Sequence, residues 1–209
     1  MRPHPTADTV TALTRHAGVV VDYRTGTTVL LTGDALSRWL AALEGSSAPA
    51  PVTVPDSSVS WGTSEVPVRL PALDRPPLPW RLAATAVLAG TLCVRTLGPR
   101  AERFGRLRRL AETGDALPPP SARHARLAVR SVRWAARNVP ARVACLEESV
   151  AVALLLALGG RGGAWRHGIA ADPIRLHAWV CDGDGRPVEE PAPTDRYTPI
   201  NPRPRTRRP

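Results

Sequence analysis

Lysine is absent from this 209-residue chain: all 28 of its basic residues are Arg, and set against 18 Asp plus Glu they leave a formal net charge of +10. A charge of that size ordinarily suggests a polyanionic partner. Uniform use of Arg beside abundant Ala, Gly and Pro reads instead as a composition bias, and aromatics are too scarce to build a stacking platform, with six Trp, two Tyr and one Phe. Nucleic acid is therefore not expected among the partners. Cysteine is limited to Cys93, Cys145 and Cys181, an odd and scattered set that excludes a disulfide framework and suits a reducing compartment. Long apolar runs are missing as well. The longest, Leu82 to Val94, contains Gly and Thr and falls short of the roughly 20 residues that span a bilayer. The opening MRPHPTADTV lacks the apolar segment of an export signal. The expectation is a cytoplasmic protein without membrane insertion.

Proline is what the chain has in excess, 23 residues gathered mainly between positions 47 and 80 and at the C-terminus. These stretches divide the chain into a unit at 1–45, a Pro/Ser-rich linker at 46–79, a larger domain at 80–200 and a basic tail at 201–209. In the first unit, Gly18 to Tyr23 and Thr27 to Thr32 alternate like strands around an Arg24-Thr25-Gly26 turn, and Ala35, Leu36, Trp39, Leu40 and Leu43 then recur at helical spacing. A hairpin and one helix need something else to pack on. The linker carries short extended pieces, Val52-Thr53-Val54 and Val66-Pro67-Val68.

The larger domain reads as helices over 80–97, 101–110, 121–138 and 145–158, followed by short strands near 165–170, 177–181 and 186–189, which makes it α+β. The 121–138 helix sets Ala125, Ala128, Val129, Val132, Ala135 and Ala136 against an outer face of Arg126, Arg130, Arg133 and Arg137. The 145–158 helix is apolar nearly all round after Ser149 and belongs at the centre.

Cys145 falls in the first turn of that central helix, where unpaired N–H groups and the helix dipole favour a thiolate. His177 opens the β-rich His177-Ala178-Trp179-Val180, so helix and strand can set an imidazole beside the thiol. Cys93 reads as a core residue of its apolar helix, and Cys181 as a second thiol near the site. His167, His177, Cys181 and Asp182 have no zinc-site spacing, and Gly159-Gly160-Arg161-Gly162-Gly163 follows a helix and lacks the Lys of a phosphate loop. No metal and no cofactor are expected.

These pieces resemble a family. Cys145-Leu146-Glu147-Glu148-Ser149, the apolar helix ending at Arg161-Gly162, His167-Gly168-Ile169, Asp172-Pro173-Ile174, His177-Ala178-Trp179-Val180 and Gly185-Arg186-Pro187-Val188 follow one another as in the transglutaminase-like, papain-like leader peptidase (B protein) of lasso-peptide biosynthesis. The resemblance covers about residues 80 to 200. It implies a Cys-His-Asp triad that removes the leader from a ribosomal precursor of antibiotic type, with Cys145 the nucleophile and His177 the general base. Where the family carries Asp after its Gly-x-x-Val turn, this chain has Glu189 and Glu190. Anchoring on Gly185 to Val188 selects Glu190 as third member, counting from His177 selects Glu189, and strand alternation would send the two to opposite faces. The partners implied are the leader region of the precursor and a separate asparagine-synthetase-like macrolactam cyclase.

Gly18 to Leu43 in turn resembles the start of a PqqD-like precursor recognition element, in which a strand edge takes up the leader by β-augmentation. Three readings stand at this point: a cysteine peptidase, a precursor- and cyclase-binding scaffold weakened by the loss of Asp, and acyl transfer to an amine. The Arg-rich helix faces and the tail read as solvated surface, with salt-sensitive docking to an acidic leader or cyclase as the exception to test.

Overall fold

The computed structural model describes residues 4–55, 75–140, 142–171 and 173–201. Val66-Pro67-Val68, Asp172 and the tail from position 202 lie outside the described residues.

The N-terminal unit is a four-stranded sheet with one helix. Strands β1 (Thr9–Leu13), β2 (Gly18–Asp22), β3 (Thr28–Leu31) and β4 (Val52–Thr53) lie in the order β3-β2-β1-β4, antiparallel except for the parallel β1–β4 pair. Strand β1 extends the expected hairpin, and β4 lies inside the stretch read as linker. Val19, Val20 and Val21 are all buried because both faces of β2 are covered. Val20 shares the face of Thr11, whose Oγ1 accepts the Nε1–H of Trp39 at 2.9 Å from helix α1 (Gly33–Leu43). Val10, Ala12, Val19, Val21 and Tyr23 join the main core on the other face.

That core is continuous with the larger domain, which holds α2 (Leu78–Thr96), α3 (Arg103–Ala111), α4 (Ala122–Arg137), α5 (Cys145–Leu158) and an antiparallel sheet of β5 (Ala164–Ala171), β6 (Ile174–Cys181) and β7 (Thr198–Pro199) in the order β6-β5-β7. Ser121 caps α4 by accepting the His124 N–H. Helix α5 packs against α2, α3, α4, β5 and β6, which explains why its sequence is apolar on every side. The third expected strand, 186–189, is reduced to one bridge between Pro187 and Cys181. Cys93, expected in the core, is exposed, because Ala84, Val87, Leu88 and Thr91 carry the buried face of α2.

The two units are joined through a buried polar contact. Tyr23 Oη lies 2.8 Å from His167 Nδ1, and both rings meet Phe104 edge-on. Gly105 brings the α3 backbone close enough for its N–H to donate to the Arg24 carbonyl at 3.0 Å, where a Cβ would crowd that oxygen. Burial, then the charge of His177, hold His167 down at about pKa 4. The folded value lies below the unfolded one, so as pH falls the unfolded chain takes up the proton first. Stability from this group is complete above about pH 6.5 and declines towards pH 4, a loss on the order of 3 kcal/mol. Urea denaturation across that window should show the decline in the native chain, and a shallower one in Tyr23→Phe/His167→Phe.

Candidate functional site

The first turn of α5 abuts the outer edge of β6. Cys145 is the first residue of the helix, and Glu147 Oε2 accepts the N–H of Ala144 at 3.2 Å, which fixes the entry of the chain. Arg95 of α2 pairs with Glu147 at 3.1 Å and reaches the Arg142 carbonyl at 3.3 Å. Arg133 of α4 pairs with Glu148 at 2.7 Å. The two first-turn carboxylates are thus each neutralised by an arginine, one from α2 and one from α4.

Burial opposes ionisation of the Cys145 thiol. A hydrogen bond to the His177 ring, the backbone N–H groups of Ala178 and Leu146, and the His177 charge outweigh it and hold the thiol below its ordinary value. His177 is moved the other way: burial works against its charge, but the bonds to Cys145 and Glu190 raise it to about 9. The two shifts favour the same ion pair: the imidazole holds its proton up to about pH 9 while the thiol gives its own up more readily than an ordinary cysteine, and the thiolate is the form that attacks carbonyl carbon.

Glu190 Oε2 lies 2.9 Å from His177 Nε2, which leaves Nδ1 for the thiol, and Thr194 Oγ1 donates to the same oxygen at 3.4 Å. Glu189 goes elsewhere. Its backbone is left-handed at φ 55°, its carboxylate lies 3.1 Å from Arg130, and its carbonyl accepts from Arg133. The structure thus brings Cys145, His177 and Glu190 together and turns Glu189 away, by a turn rather than by the strand alternation expected there. Cys181 is buried on β6, and burial raises its thiol. His167 is occupied with Tyr23.

Helices α4 and α5, strand β6 and residues 188–190 line an open pocket of about 380 Å³ that contains Cys145, His177 and Glu190, with Val129 and Val152 among its apolar residues and Arg137 among its charged ones. The His177 ring stacks on Trp179 at 5.8 Å and meets Tyr197 at 5.3 Å. Trp179, Tyr197, Thr194 and Arg133 were not singled out from the sequence as members of the site. A period of two from His177 points to Trp179, whereas Thr194 and Tyr197 are brought in by a short 3-10 turn, Ala192–Arg196, and the residue that caps it.

Gly168 pairs with His177 across the sheet. A Cβ there would sit 2.6 Å from the Trp179 ring and 2.9 Å from the Thr198 carbonyl. Gly168→Ala should cost about 1–3 kcal/mol of stability by overpacking, and slow Cys145 alkylation through the displaced Trp179–His177 stack. A variant with native melting temperature and native alkylation rate would contradict this placement.

The profile of the transglutaminase-like superfamily matches residues 88–201, from within α2 through the thiol helix and the second sheet. No curated protein and no solved structure matches the chain. None of its described helices is long and apolar enough to cross a membrane. The profile match takes in more than half of the 209 residues, along with every residue gathered around the thiol, and the protein belongs to the transglutaminase-like superfamily.

Proposed function

We propose that this protein is a cysteine peptidase that removes the leader from a lasso-type ribosomal precursor and leaves the freed amine for a separate asparagine-synthetase-like cyclase. The observation that carries the reading is a thiol at a helix N-terminus, bonded to a strand imidazole whose other nitrogen meets Glu190 at 2.9 Å. In the reaction, Cys145 Sγ attacks the carbonyl of the last leader residue. The N–H of Cys145 itself, at the start of α5 where a backbone donor has no intrahelical acceptor, supplies a donor for the oxyanion. The C–N bond breaks as His177 gives its proton to the leaving amine of the core. Water then attacks the thioester with His177 as base, and the leader departs as a carboxylate.

Strand β3 supports leader binding in the same reading. It ends the order β3-β2-β1-β4, so among the described residues one row of its backbone N–H and C=O groups has no sheet partner, and Leu30 on it is 56 % exposed. Docking that draws on the Arg-rich faces should weaken with salt. The contact of Glu190 with His177 favours hydrolysis over the scaffold reading, whose motive was the missing Asp.

The test is mass spectrometry of precursor incubated with the chain and the cyclase. Two fragments whose masses add to the precursor plus one water, or to the precursor itself where the cyclase has closed the macrolactam with loss of that water, support the proposal. Product carrying an amine in place of that water would assign the site to acyl transfer instead, and intact precursor would leave the scaffold reading.

A further inference from the structure

The repeat of α4 assigns Arg133 to the solvated face, yet its side chain is only 13 % exposed. It flanks the apolar stripe, one turn from both Val129 and Ala136, and reaches inward. Three of its nitrogens are engaged at once: Nε donates to Glu148 Oε1 at 2.7 Å, Nη1 to the Glu189 carbonyl at 2.6 Å, and Nη2 to Glu190 Oε1 at 2.8 Å. Only a planar guanidinium offers donors in that spread.

We propose that Arg133 is a positioning residue of the thiol site, fixing the conformation of Glu190 and tying it to the helix that carries Cys145. The inference rests on the reading of Cys145, His177 and Glu190 as a catalytic set. A glutamate has one more torsion than the aspartate the family places here, so its carboxylate sweeps a larger volume unless it is held. Arg133 holds one oxygen, leaving the other for His177. The same guanidinium holds the carbonyl of Glu189, whose left-handed backbone is sparsely populated for a residue with a Cβ and persists only where its surroundings hold it. That turn is what sends two consecutive glutamates to different partners, Glu189 to Arg130 and Glu190 to His177. The third contact, to Glu148 in the first turn of α5, makes thiol helix and carboxylate move as one body.

The test uses the full chain in a Cys93→Ser background and follows alkylation of Cys145 by iodoacetamide over pH, located by peptide mass mapping, beside thermal denaturation. Its readout is the thiolate itself and needs no peptide substrate. The native site should react as a thiolate at a pH below that of an ordinary cysteine. On the acid side of that native profile Arg133→Met should slow the reaction about tenfold, equivalent to a thiol raised by about one pH unit, with Arg133→Lys in between because it keeps the charge and loses the fork. Because Arg133 acts through Glu190, adding Arg133→Met to Glu190→Gln should slow it no further. Should Arg133→Met be too unstable to purify, Arg133→Lys carries the same comparison. Native alkylation in the Arg133 variants, with only a lowered melting temperature, overturns the proposal, as does a full second loss on top of Glu190→Gln. An ordinary, slow thiol in the native protein would instead fail the catalytic reading beneath it.

Discussion

Cys145→Ala should abolish the proposed precursor processing while leaving the fold in place. The loss should be about 10⁴-fold or more, the scale set by removing the nucleophile of a triad. Cys145 is partly exposed at a helix terminus and contributes little apolar burial, so the melting temperature should move by only a few degrees. Cys145→Ser should be nearly as inactive, because a hydroxyl beside the same imidazole does not ionise in the range where the thiol does. In the native protein kcat/KM for the proposed cleavage should hold steady between the lowered thiol value and about pH 9, where His177 gives up its proton. Processing by Cys145→Ala at a rate near native would end the enzyme reading.

Glu190→Gln is the second large effect. The amide keeps the size of the side chain but loses the charge that stabilises the imidazolium, and it leaves Arg133 with one carboxylate fewer. Activity should fall about 10²-fold or more, and the basic limb of the pH profile should move down from about 9 towards the ordinary histidine value. The sign follows from the linkage: His177 is raised because its charged form is favoured, so removing a favouring group returns it to neutrality at lower pH. Glu189→Gln should remain within about threefold of native, since its carboxylate faces Arg130. Kinetics of both variants across the alkaline range decide the matter, and a larger loss in Glu189→Gln would reverse the assignment.

Much of the helical frame is legible in the residues. The apolar stretch behind Cys145 and the Gly159-Gly160 stop define α5, and Ser121 with the Ala/Val stripe defines α4. Strand β1 is not legible, because Thr9 and Thr11 are buried polar residues whose burial depends on tertiary partners such as Trp39. The parallel pairing of β4 with β1 joins residues some forty positions apart, and two residues carry no periodicity. At the site, helix and strand starts locate Cys145 and His177, whereas the choice between the two glutamates depends on a left-handed turn at a non-glycine residue and on arginines of another helix. Arg133 shows why: a position bordering an apolar stripe points outward or inward according to what lies opposite, and here two carboxylates do.

The proposed reaction passes through a thioester on Cys145, and mass spectrometry of the intact protein, acid-quenched during incubation with a precursor peptide, detects it directly. A mass increment equal to the leader less one water, mapped to the peptide carrying Cys145 and absent from Cys145→Ala, is the predicted result. Cleavage that proceeds with no such increment on Cys145, or with the increment on Cys93 or Cys181, would contradict it.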